Sequence, residues 1–222
     1  MPSNKSEQQQ SKKVVLSYVT KTSELEEYAT FSAQEFAKDV FEDKQLDFPK
    51  IIHTLLGNKK SDGKIVVLSG KSGTGKTTFL KQVLSQIVSE SDKVSLIYLP
   101  SEKISELSEK YFQDALRVKN GKRKIVIVED CNSDSVQNNS FILNSTDGLL
   151  SESYDVSYIF TTSKWNLMFR ENRIANYLYF NALTIEKAQE IAVKMNPKFN
   201  KTKIRNSKTI SELTKELEDD KS

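Results

Sequence analysis

The chain has 222 residues, 37% of them hydrophobic and 28% charged, with 33 basic against 30 acidic side chains and a formal net charge of +3. That length suits one sizeable core, and so even a charge balance gives no support for a nucleic-acid partner held by bulk electrostatics. A single cysteine, Cys131, excludes an internal disulfide and fits the cytoplasm or another reducing compartment, and no apolar run is long enough for a membrane-spanning helix.

Residues 1–13 are polar and read as a disordered tail. Val14 to Val19 suits a short strand. Residues 23–43 read as a helix with Leu25, Tyr28, Phe31, Phe36, Val40 and Phe41 on an irregular apolar face, and 46–57 as a second helix, interrupted early by Pro49 and ended by Gly57. Residues 14–60 therefore read as a helical lead-in. From 61 to 182 the pattern alternates strand and helix. Wholly apolar strands at Ile65–Leu68 and Ile125–Val128, and a third at Tyr158–Thr162 that is apolar through Phe160, alternate with helical spacings at 78–88, 102–118 and 135–151. Two further strands are read at Val94–Leu99 and Tyr177–Phe180. Continuous apolar strands between helices predict an α/β three-layer sandwich with a parallel sheet. Residues 183–222 read as a short helical lid and tail: Thr184 caps a helix to Lys194, and Ile210, Leu213 and Leu217 form a last apolar face that needs a partner.

The chemistry begins where the first apolar strand ends. Gly70-Lys71-Ser72-Gly73-Thr74-Gly75-Lys76-Thr77-Thr78 is a complete P-loop. Its glycines let backbone N–H groups surround phosphate oxygens, Lys76 can reach the β- and γ-phosphates, and Thr77 can offer a hydroxyl to Mg2+. The helix that starts there turns its positive end to the same anion. A second apolar strand delivers Glu129 and Asp130 to the sheet edge, one carboxylate for the metal and one to orient or deprotonate a water. A third ends in Thr161-Thr162-Ser163, polar groups expected to face the γ-phosphate. Arg170 and Arg173 follow, able to neutralise phosphoryl charge if offered to a neighbour. The basic run Lys119–Lys124 reads as a solvated loop before a buried strand. Cys131 and the lone His53 have no catalytic partner in the pattern.

The order P-loop, acidic pair, Thr-Thr-polar strand and Arg-x-x-Arg resembles the AAA family of AAA+ ATPases. Val128-Glu129-Asp130-Cys131-Asn132, Ile142-Leu143-Asn144-Ser145-Thr146-Asp147-Gly148 and Phe169-Arg170-Glu171-Asn172-Arg173-Ile174 look most like the branch containing the mitochondrial Rieske-protein translocase. The resemblance implies an AAA+ fold, ATP and Mg2+ as cofactors, and a ring such as a hexamer, of this chain or with other AAA+ subunits, that remodels a protein or protein–nucleic-acid client. It implies that Thr77 and Glu129 serve the metal, Asp130 is the catalytic acidic residue, Ser163 stands at the sensor position and Arg170 and Arg173 are fingers in trans. Serine at 163 is shorter than the family's asparagine, Asp130 is shorter than its glutamate, and no sensor arginine is evident in the lid. These departures leave a regulatory ATP-binding module with weak hydrolysis as the alternative, and a small-molecule P-loop kinase as the third reading.

Overall fold

A computed structural model describes residues 14–19, 25–31, 48–57, 65–101, 104, 109–117, 123–131, 142, 145, 156–163 and 173–220. Seven strands form one sheet: β1 (Val14–Val19), β2 (Leu25–Phe31), β3 (Ile65–Gly70), β4 (Val94–Pro100), β5 (Arg123–Glu129), β6 (Val156–Thr162) and β7 (Ile174–Phe180). Their spatial order is β2-β1-β4-β5-β6-β3-β7, and every neighbouring pair except β1–β2 is parallel. The P-loop strand β3 is therefore separated from the acidic strand β5 by β6.

Among the described residues the α-helices are α1 (Phe48–Leu56), α2 (Lys76–Glu90), α3 (Glu109–Arg117), α4 (Ile185–Met195) and α5 (Ile210–Asp219). Two apolar layers follow from the alternation of side chains along the buried strands. On one face, Val66, Leu68, Ile125, Ile127, Leu178 and Phe180 pack with α1, α2, α4 and α5. On the other, Ile65, Val67, Val126, Val128, Tyr158 and Phe160 meet Phe112 and Leu116 of α3, together with Ile104 and Ile142. Among the described residues, no helix is long and apolar enough to cross a membrane.

Residues 25–31 form a strand, not the first turns of a helix over 23–43. Helix formers such as Leu25, Glu26 and Ala29 are overridden because β1 supplies an antiparallel partner for their backbone, and Tyr18 ties across the pair to Glu26 Oε2 at 2.7 Å. The hairpin extends the sheet beside β4, so Val14 and Leu16 of β1 lie in the core and Phe31 of β2 packs against it. Residues 32–43 of that expected helix, the tail at 1–13 and most of 135–151 lie outside the described residues.

Pro49 does not interrupt α1. It is the second residue of the helix, where no intrahelical N–H bond is required. The basic run also changes meaning at its end. Arg123 lies in β5 and its guanidinium donates to the carbonyls of Leu55 and Gly57, at 3.3 and 2.6 Å, closing the carboxyl end of α1.

The carboxyl-terminal segment folds back onto the domain. Thr184 caps α4 by accepting from the Lys187 N–H, and Thr209 with Glu212 makes a reciprocal capping box at the start of α5. Leu183 and Lys208 exchange backbone hydrogen bonds, and Lys208 pairs with Glu216 at 2.6 Å. The partner needed by the α5 apolar face is thus this domain: Leu213 and Leu217 are buried in the same cluster as Ala188 and Ile191 of α4. Leu217→Ala is expected to lower folding stability by about 2–5 kcal/mol, measured by denaturant unfolding. An unchanged midpoint would mean that α5 is a detachable tail.

Candidate functional site

The site starts from one steric demand. A Cβ at Gly70 would lie 2.3 Å from the Phe180 carbonyl oxygen, so only glycine lets β3 end against β7 and the loop begin. The loop closes on itself through Thr74 Oγ1, which donates to the Lys71 carbonyl at 2.8 Å. Gly75, at φ 96°, is the residue before α2, and no side chain caps that helix. Its first N–H groups are left to an external acceptor, which is the arrangement an anion requires.

Lys76 Nζ donates to the carbonyls of Gly70 and Lys71 at 2.7 and 3.0 Å. Burial lowers its pKa below the usual lysine value, while the negative charges of Asp130 and then Glu129 work in the opposite sense. The two acids at the end of β5 are thus felt electrostatically at the P-loop lysine. Thr77 Oγ1 donates to Glu129 Oε1 at 3.0 Å, joining α2 to β5 directly. A hydroxyl and a carboxylate oxygen this close are hard donors suited to Mg2+, whose other positions would go to phosphate oxygens and water. The residues fit the metal assigned to them. A cleft of about 320 Å³ runs from this pair past Tyr98 and Leu84 to Phe31 and Lys81, under the β1–β2 hairpin.

Asp130 has φ 50°, the one positive value at a non-glycine residue among those described. A left-handed conformation costs an L-residue about 1–2 kcal/mol. It is held from both sides. Its N–H donates to Thr161 Oγ1 at 2.9 Å, the next N–H, of Cys131, donates to the Thr161 carbonyl at 2.8 Å, and Ser101 Oγ donates to the Asp130 carbonyl at 3.2 Å. The expected role of Thr161 is corrected here. Thr161 is 1% exposed, and its hydroxyl is engaged with the backbone of Asp130 instead of facing a phosphate. Thr162 is equally buried, and Ser163 is exposed, one residue beyond β6.

Arg173 stands just before β7, at the edge of the sheet where the strands begin. Ile174 pairs with Ile65 and Phe180 with Gly70, so Arg173 and the P-loop lie at opposite ends of β7. At strand rise that separation is about 20 Å, too far for an arginine to reach the chain's own phosphate site. Arg170 lies outside the described residues.

Three features were not legible beforehand. The double role of Thr161 and the bond from Ser101 depend on registers between strands distant in sequence. The approach of α5 is the third: the Ser211 N–H donates to the Gly73 carbonyl at 3.1 Å, and Ser211 and Thr209 side-chain atoms lie 3.1–3.2 Å from where a Gly73 Cβ would stand. The Thr209-x-x-Glu212 capping signature marks the start of that helix, but nothing in it points to the P-loop.

Residues 48–151 match the sequence model of a family described as Novel STAND NTPase 5. The match takes in the P-loop and acidic strand and stops before β6. No curated protein matches the chain. Among solved structures, a chain of the E. coli MS115-1 HORMA:CdnC:Trip13 complex superposes with a TM-score of 0.56 at 13% identity, covering 72% of this chain and 67% of that one. The AAA domain of FIGL-1, solved with ADP, gives 0.47 at 17% identity, covering 72% and 57%. The first likeness carries the fold alone: this chain shares the α/β P-loop architecture of that protein.

Cys131 is 2% exposed, and burial pushes its thiol up to about 12. The folded protein is expected to resist thiol alkylation at pH 8 and to react fully once unfolded, as read by mass spectrometry. Rapid labelling of the folded chain would contradict the buried position.

Proposed function

We propose that the chain binds ATP with Mg2+ and hydrolyses it in a site completed by a neighbouring subunit. The observation that carries this reading is the 3.0 Å contact of Thr77 with Glu129, which joins a complete P-loop to an acidic strand end. The family match over 48–151 and the P-loop fold support it.

In this reading the loop N–H groups from Lys71 to Thr78 and the Lys76 ammonium bind the phosphates. Thr77 and Glu129 hold the metal, which neutralises charge on the phosphate oxygens. Asp130 orients or deprotonates the attacking water, and Ser163 helps to place it. Arg173, at the far edge of its own sheet, is presented to the next subunit, as Arg170 is by its place in the same motif. A ring, of this chain or with other AAA+ subunits, follows from that requirement. Its work would be remodelling a protein or protein–nucleic-acid client. The likeness to the Rieske-translocase branch rests on the residues already quoted.

The test is turnover of Mg-ATP together with light scattering. Lys76→Ala is expected to abolish binding and turnover. Asp130→Asn should keep binding while turnover falls about 10²–10⁴-fold. ATP should raise the molecular mass, and Arg173→Ala should cut turnover by about 10³-fold or more at unchanged affinity. A monomeric ATPase indifferent to Arg173→Ala would overturn the shared site. The exposed, short Ser163 favours a second reading, a regulatory module with weak hydrolysis. Tight ATP binding with negligible turnover, with and without a partner, would select it.

A further inference from the structure

We infer that Thr161 is a positioning residue for hydrolysis: by accepting the Asp130 N–H on its hydroxyl and the Cys131 N–H on its carbonyl, it locks Asp130 in the left-handed conformation that places the catalytic carboxylate. The inference rests on the hydrolysis reading above.

Four observations carry it. Asp130 pays for an unfavourable backbone conformation directly after the strand that delivers Glu129. Such a conformation persists only where its surroundings over-determine it, and it concentrates where geometry matters to chemistry. Thr161 supplies two of the restraints through different atoms, so its β6 backbone and its side chain act together. It is also buried to 1% exposure and stands beside the P-loop strand, with Leu68 as its register partner in β3. Its hydroxyl therefore links the acid to the loop strand through one rigid element. Ser101, at the end of β4, adds a weaker third restraint from the opposite side at 3.2 Å.

The chemistry follows from the geometry. An acid that must orient a water tolerates little displacement, because a misplacement near 1 Å can cost about a hundredfold in rate. Without the Thr161 hydroxyl, the Asp130 N–H loses its acceptor and the residue can relax toward ordinary backbone angles. The carboxylate then leaves its place, while the P-loop contacts that bind ATP are untouched.

The experiment compares Thr161→Val, which keeps the branched shape and removes the hydroxyl, with Thr161→Ser, which keeps the hydroxyl. Thr161→Val is expected to lower kcat at least about tenfold with KM and ATP affinity nearly unchanged, and Thr161→Ser to stay close to wild type. Added to Asp130→Asn, Thr161→Val should cause no further loss, because it acts only through the residue already disabled. Ser101→Ala, at a half-exposed position, guards against a folding failure of the buried variant and should lower kcat several-fold. Equal losses in the valine and serine variants, an additive loss on Asp130→Asn, or full activity in both Thr161→Val and Ser101→Ala would overturn the inference alone. Absence of turnover in the wild type would overturn it together with the hydrolysis reading.

Discussion

Everything at the site depends on the parallel register of the sheet. Strands β3, β5 and β6 run the same way, with Leu68 opposite Thr161 and Val128 opposite Phe160. Their carboxyl ends therefore arrive together, and each brings its polar residues to one edge: the P-loop after β3, Glu129 at the end of β5 with Asp130 next to it, Ser163 after β6. The same register sends the start of β7 to the opposite edge with Arg173. One geometric fact thus gathers most of the proposed site and leaves Arg173 at the far edge, where the proposal hands it to a neighbouring subunit.

Hydrophobic burial maintains that register. Ile65 to Leu68 and Ile125 to Val128 are at most 1% exposed, covered by helices on both faces, so a slip of one residue would exchange every side chain between two differently packed layers. Upon this frame the polar contacts are few and specific. Lys76 is held by loop carbonyls, Thr77 by Glu129, and the Asp130 backbone by Thr161 and Ser101. Helix α5 closes the carboxyl-terminal end by touching Gly73, so that helix and the P-loop share a hydrogen bond.

Much of this was legible in the amino acids. The apolar strands, α2, α4 and the P-loop follow from local pattern, because a buried parallel strand and an amphipathic helix each leave a distinct spacing. The β1–β2 hairpin was not legible: Leu25 to Phe31 has helix formers and an uninformative period, and only the neighbouring strand decides its conformation. Pro49 reads as a break in the sequence alone because its meaning depends on where the helix begins. The edge to which Thr161 belongs is legible but its contact is not, since its partner lies 31 residues away and is a backbone amide. Arg123 shows the same limit, a charge in a basic run whose role is to close a helix distant in sequence.

The central claim is that each site takes its acid from one subunit and its arginine from the next. Mixing Asp130→Asn protein with Arg173→Ala protein tests it most directly. Each parent should be nearly inactive alone. In randomly mixed oligomers about one interface in four unites an intact Asp130 with an intact Arg173, so ATP turnover should reappear on mixing. A mixture as inactive as its parents would contradict the account.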